Sequence, residues 1–360
     1  MFRKKFVRHW KKSVTTLFFL TVMLTPLYQL SGPVITDGPA RFIVKKGQSF
    51  AEVVLHLQKR GIVQHPLLLE GYARLTGRDT KLKSGQYRVV AGTTHFALLE
   101  MLSQGHVAQH EVTLIAGRTL AENLVFLKQS ELSQTLSSAD DPKLRDSISM
   151  QADTLEGPFF ADTYFYILGS SDLSILKRAH QRLRDILAEE WQQRQPGLAY
   201  KSPYEALIVA SIVERETSVA YERPAIAGVF LRRLRKGMRL QSDPTVIYGM
   251  GEHYDGRISR ANLMEYSPYN TYRIRGLPPS PISFVGREAI HAALHPQEGE
   301  ALYFVAKGDG THLFSDTLAE HNMAVQRYQL NRRSDYRSTP APASEAADSQ
   351  IDVQDAPQRP

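Results

Sequence analysis

The sequence predicts an α+β fold: an N-terminal transmembrane helix, a small α+β module, and a larger mixed α+β domain. Three observations lead there. Apolar residues recur at helical spacing through much of the chain. Strand-like runs are short and interleaved with helices, and a Gly-Asp-Gly hairpin signal lies near the end. The 360 residues exceed one small domain, and 42% hydrophobic content supplies ample core.

Six of the seven net positive charges, Arg3 to Lys12, fall before residue 13 with no acid among them. The remainder is nearly neutral, which argues against nucleic acid as a partner. Val14 to Leu30 is then an uncharged run of 17 residues, about 25 Å of helix. Basic residues ahead of it predict a cytoplasmic segment over 1–12 and a single membrane anchor over 13–31, with Pro26 a kink site. The run is marginal but sufficient for a bacterial-type inner membrane, and the orientation puts the rest of the chain on the side away from the cytoplasm. A cleaved signal peptide is the competing reading, but the run is long for one and no Ala-x-Ala site follows. With no cysteine, neither a disulfide nor a lipidated cysteine enters.

Gly32 to Gly38 reads as a linker, and residues 40–112 as the small module. Phe42-Ile43-Val44 is strand-like, and Ser49 caps a helix through Val53, Val54 and Leu57 that ends at Gly61. A helix over Pro66 to Leu75, a strand near Tyr87 and a helix over Thr94 to Ser103 complete it. The larger domain covers 113–330. Its helices are expected over Leu173–Arg194, Pro203–Val219, Ile226–Lys236 and Gly286–Ala293. Gly249–Pro281 is a Gly/Pro/Tyr-rich region whose part from Tyr266 to Pro281 cannot be regular helix, and strands at Leu302–Ala306 and His312–Phe314 flank Gly308-Asp309-Gly310. From Ser334 the composition predicts a disordered tail over 334–360.

Chemistry concentrates at the end of one helix. Ala206 to Val213 is uncharged and almost wholly apolar, and it runs straight into Glu214-Arg215-Glu216-Thr217. A helix apolar all round is buried. A carboxylate at its end is short of water, and its pKa rises toward what a general acid needs. A core helix that merely turns polar at the surface has the same sequence. Glu214 and Glu216 point about 200° apart on a helix, so they cannot flank one bond together, and spacing alone does not say which faces a site. Other polar clusters are Leu155-Glu156-Gly157 with Asp162-Thr163-Tyr164, and Gln241, Asp243 and Thr245, which share one face if extended, although Asp243-Pro244 equally suits a turn or a helix start. Tyr248, Asn270 and Tyr272 add a Tyr/Asn-rich stretch suited to binding. Arg232, Arg233, Arg235 and Lys236 read as a solvated helix face, with contact to an anionic substrate the alternative. His291 and His295 stand at i, i+4 without the Glu of a zinc protease, and Gly249-x-Gly251 lacks the rest of a dinucleotide loop. No metal and no cofactor are expected.

Taken in order, these segments resemble the YceG-like family of endolytic murein transglycosylases. The motifs are Leu155-Glu156-Gly157 with Asp162-Thr163-Tyr164, Ala210 to Thr217, Arg239 to Gly249, Tyr269-Asn270-Thr271-Tyr272 with Gly276-Leu277-Pro278-Pro279, and His321-Asn322. Ala161 stands where a proline is common in the family. The resemblance implies a LysM-like small module and a catalytic larger domain. It also implies cleavage of the β-1,4 bond between N-acetylmuramic acid and N-acetylglucosamine in nascent strands, leaving a 1,6-anhydro end. The muramyl C6 hydroxyl is then the nucleophile, so a single carboxyl suffices as acid and then base. By analogy with other lytic transglycosylases, whose catalytic Glu precedes Ser at a helix end, Glu216 before Thr217 is the expected acid, with Glu214, which suits an ion-pairing or orienting role, the alternative. Glu156, Glu214, Gln241, Asp243, Thr245, Tyr248, Asn270 and Tyr272 are the expected substrate contacts. Expected partners are peptidoglycan strands, the inner membrane and peptidoglycan synthases. Two rivals remain: a non-catalytic glycan-binding scaffold, and a muramidase-type hydrolase with Asp243 or Glu156 as second carboxylate, about 5–9.5 Å from the first.

Overall fold

The computed structural model describes residues 21, 24–34, 38–105, 107–148, 154–332 and 336–337. Segment 1–12 and most of the anchor expected over 13–31 lie outside these residues, as does all of the expected tail but 336–337. Residues 24–31 are helical, and among the described residues no helix is long and apolar enough to cross a membrane. The chain divides into two compact units, 1–111 with 165–170, and 112–164 with 171–360.

In the first unit, β1 (Ala40–Val44) pairs antiparallel with β2 (Gly85–Val89), and Phe42 faces Tyr87 across the pair. Alternation turns Phe42, Val44, Tyr87 and Val89 to the buried face. Between the strands lie α1 (Phe50–Lys59) and α2 (Pro66–Leu75), and α3 (His95–Gln104) follows β2. Ser49 and Glu52 close a capping box on α1. Gly105, at φ 80°, ends α3 in the left-handed conformation that glycine adopts without strain. Val53, Leu57, Leu69, Leu98 and Leu102 meet in one core. β3 (Gln109–Thr113) and β4 (Thr163–Ile167) form a second two-stranded sheet. β4 follows the alternation of Thr163-Tyr164-Phe165-Tyr166-Ile167, with Tyr164 and Tyr166 buried and Phe165 exposed.

The second unit is mainly helical: α4 (Leu120–Lys128), α5 (Pro142–Ile148), α6 (Asp172–Gln192), α7 (Pro203–Glu216) and α8 (Arg223–Arg235) come first. Then come α9 (Asp243–Met250), α10 (Arg260–Met264), α11 (Arg287–Leu294), the hairpin of β5 (Tyr303–Ala306) and β6 (His312–Ser315), and α12 (Leu318–Val325). α7 is its centre. Every residue from Ala206 to Val213 is buried, and α6, α8, α9 and α11 pack around it. Ser202 caps its start, with Pro203 preset in the first turn. Inside the helix the Ser211 hydroxyl donates to Ile208 O at 2.7 Å and accepts the Ile282 N–H at 3.0 Å, strapping the 280–285 loop to the helix.

One expectation is corrected. α7 stops at Glu216, three residues early, because Thr217 is extended and its hydroxyl accepts the Val219 N–H at 3.0 Å. Of the two readings of Gln241 to Thr245 the helix start holds: α9 begins at Asp243 with Pro244 in its first turn. Within Gly249–Pro281, Ser259 and Asn262 close a capping box on α10.

Phe230 of α8 is fully buried and meets Phe304 of β5 edge-on at 5.9 Å. Phe230→Ala should cost about 3–5 kcal/mol in urea unfolding. A loss below about 1 kcal/mol would show that this packing does not hold the second unit together.

Candidate active site

Glu216 ends α7 where the helix opens into a cleft of about 680 Å³. The cleft is also lined by Arg233, Gln241, Asp243, Tyr272, Tyr303, His312 and His321. Glu216 is half-buried and its Oε1 accepts the Ser242 hydroxyl at 2.5 Å. Burial is the main force on it and, with the nearby Asp243 charge, pushes its pKa up to about 7. The Ser242 hydrogen bond and the cations Arg233 and Arg215 pull the other way and do not win. Its place in the last turn of a helix also disfavours negative charge, since carbonyl dipoles point there. Near neutral pH, then, this carboxyl can hold or release a proton, as a group that is first acid and then base requires.

Arg233 was not foreseen here. It lies on the buried side of α8, 6% exposed, and not on a solvated face. The signal was present: residue 233 follows Phe230 by three, Val229 by four and Ile226 by seven, all buried positions of the same helix. Arg233 donates from Nε to Leu302 O at 2.6 Å and from Nη1 to Leu240 O at 2.7 Å, which fixes the segment before Gln241. Its guanidinium also lies over the Tyr303 ring at 5.1 Å.

Gln241 is exposed and held at φ 50°, the only non-glycine residue at positive φ among the described residues. Such strain collects where surrounding structure overrides it. Here the Gln241 N–H donates to Thr271 O at 3.2 Å and the Ser242 N–H to the Thr271 hydroxyl at 2.9 Å. Asp243 accepts the Tyr272 hydroxyl at 2.6 Å, and burial together with that carboxylate raises the Tyr272 pKa. His312 is held at Nδ1 by Glu222 at 2.7 Å, and Glu222 also accepts the Thr217 hydroxyl at 3.3 Å. Ser242, Tyr303 and His312 were not foreseen as part of the site. Each becomes visible only when α9 and the hairpin fold back toward the end of α7.

The structure gathers Glu216, Gln241, Asp243 and Tyr272 on one cleft and places the other expected contacts elsewhere. Thr245 is fully buried, its hydroxyl bonded to Ser242 O at 2.7 Å and to Thr271 at 2.8 Å. Asn270 is 2% exposed, with its amide on the carbonyls of Asn262, Leu263 and Glu265. Both set the shape of the loop beneath the cleft. Tyr248 meets Tyr269 edge-on at 4.7 Å, outside the cleft lining. Glu214 pairs with Arg223 at 3.1 Å and accepts the Gly286 N–H at 3.0 Å, which anchors the start of α11. Glu156 accepts the Leu120 N–H at 3.0 Å at the start of α4, and burial pushes its pKa up to about 7. None of these five lines the cleft.

Residues 42–327 match the YceG-like family. The chain is 29% identical over 303 residues to the endolytic murein transglycosylase of Bacillus subtilis (strain 168), covering 79% of this chain and 83% of that protein. The endolytic murein transglycosylase of Streptococcus pneumoniae serotype 2 (strain D39) is 25% identical over 341 residues, covering 85% of this chain and 60% of that protein. A crystal structure of a YceG-like protein from Listeria monocytogenes is 27% identical, covers 80% of this chain and 99% of that one, and superposes with a TM-score of 0.49.

The raised Glu216 pKa has a consequence for stability. The folded chain binds this proton more tightly than the unfolded chain. That stabilisation is full below about pH 4.5 and is lost as pH rises to about 7. Relative to Glu216→Gln, wild type should therefore lose on the order of 1–3 kcal/mol across that window. Urea unfolding of both proteins at pH 4.5 and 8 measures it, and a pH-independent difference would contradict the assignment.

Proposed function

The chain belongs to the YceG-like family, and we propose on that premise that it is a peptidoglycan lytic transglycosylase with Glu216 as its single acid–base group. The relatives named endolytic murein transglycosylase support the activity. The observation that supports the residue is a carboxyl raised to about 7 at the end of a buried helix, on the lining of an open cleft. Glu216 donates its proton to the glycosidic oxygen between N-acetylmuramic acid and N-acetylglucosamine as that bond breaks. The resulting carboxylate takes the proton of the muramyl C6 hydroxyl as its oxygen bonds to C1, which closes the 1,6-anhydro ring and restores the acid. Ser242 orients the carboxyl. The fixed Arg233 lies among the residues whose charge steadies the carboxylate between the two steps. Gln241 and the Asp243–Tyr272 pair offer the hydrogen-bonding groups that hold the glycan. Because the cut needs no chain end, such an enzyme shortens nascent strands and ends their elongation.

A hydrolase needs a second carboxylate across the cleft, and Asp243 is the candidate that the cleft lining retains. Its Oδ1 is engaged by the Tyr272 hydroxyl, which suits a binding role better than activation of water. We propose further that the first unit is LysM-like and holds glycan, and that the N-terminal segment anchors the chain in the inner membrane with the cleft in the periplasm. There it meets strands as synthases release them. The β-α-α-β order of the first unit supports the LysM-like reading.

Mass spectrometry of glycan strands after incubation with the protein tests the reaction. Anhydro-ended fragments are expected from wild type, and Glu216→Gln should lower their rate at least about 100-fold. Reducing ends from wild type would convert the reading to a hydrolase, and undiminished anhydro product from Glu216→Gln would remove Glu216 from the chemistry. Ser242→Ala removes a hydrogen bond to the charged carboxyl. It should shift the alkaline limb of the pH–rate profile upward by about half a unit to one unit, and a downward shift would contradict the role given to Ser242.

A further inference from the structure

His291 and His295 lie one turn apart at the end of α11, and the fold brings Glu190 of α6 to them from 101 positions away. Each of the three offers a ligand atom, and these atoms all lie within 4.8 Å of one another. None of the three lines the cleft that holds Glu216. We propose that Glu190, His291 and His295 form a binding site for a divalent first-row transition metal, zinc foremost, that clamps the end of α6 to α11.

The donor set fits. Two imidazoles and a carboxylate are zinc ligands at roughly 2.0–2.2 Å, and three protein ligands leave a fourth position for water. Glu190 Oε2 stands 2.8 Å from His291 Nδ1. Two ligands of one tetrahedral zinc stand roughly 3.3 Å apart, so this pair opens by about half an ångström to admit the metal. Glu190 is buried and its Oε1 is taken by Arg287 at 2.9 Å, which leaves Oε2 for the metal. Arg287 also bonds Glu189, an outer hydrogen bond of the kind that orients a ligating carboxylate.

His295 supplies the second argument. Its ring stacks on that of His291 at 4.1 Å and 19°, and since an imidazole lone pair lies in the ring plane, one ring turns for both to face a shared metal. Its Nε2 faces Gln193 O at 2.8 Å while its Nδ1 faces His291 O at 3.2 Å. A neutral imidazole has a single N–H, so one of its nitrogens aims a lone pair at a carbonyl oxygen. A cation on that nitrogen, a proton or a metal ion, removes the conflict. The clamp also bears on the catalytic frame, because Gly286, the residue that starts α11, holds Glu214 of α7.

The test uses the full chain without a histidine tag, stripped with a chelator and titrated with zinc chloride by calorimetry, with thermal unfolding in parallel. One equivalent of zinc is expected to bind and to raise the melting temperature. His291→Ala and His295→Ala, both at solvent-reached positions, should each weaken binding at least tenfold and abolish the thermal shift. Wild type that takes up no zinc, or variants that bind it equally well, would overturn the proposal.

Discussion

A helix with no polar side from Ala206 to Val213 has to be enclosed, and that requirement organises the second unit. α6, α8, α9 and α11 surround α7, and the 280–285 loop is strapped to it through Ser211. The helix ends where enclosure gives way to the cleft. A carboxyl at that boundary is short of water yet within reach of a ligand. The same burial that stabilises the unit therefore raises the proton affinity of Glu216.

The polar neighbours set the balance. Ser242 and the cations favour the charged carboxyl, and burial with Asp243 opposes them. A carboxyl left with no partner would stay protonated and serve poorly as a base, whereas one paired closely with arginine would ionise far below neutrality. Glu214, two residues away, is committed to Arg223 and the backbone of Gly286 and works as a tie between helices. Neighbouring glutamates thus take different duties because the helical turn points one into packing and the other into the cleft.

Much of this was legible in the residues. The buried helix with its terminal carboxylates, the Ser49-capped helix and the Gly308-Asp309-Gly310 hairpin each follow from local rules that the fold obeys. The cleft was only partly legible. Gln241 and Asp243 line it at the helix start that Pro244 sets, and Tyr272 reaches it from the Tyr/Asn-rich loop. Thr245 and Asn270 were drawn toward the substrate by their polarity, while the fold spends that polarity on bonds within the loop. Arg233 was hidden by a cluster of charges that looks solvated until the helical spacing of Ile226, Val229 and Phe230 is followed one turn further. Ser242 and His312 depend on elements brought together from distant parts of the chain, which spacing alone does not reveal.

The account rests on Glu216 holding its proton near neutrality. A carbon-13 NMR titration of the glutamate side-chain carboxyls, with Glu216→Gln to assign the resonance, reads that proton directly. A midpoint near 7 is predicted for Glu216. A midpoint near the ordinary value of about 4.5 would mean that the cleft solvates the carboxylate fully, and the acid would have to be sought in another residue.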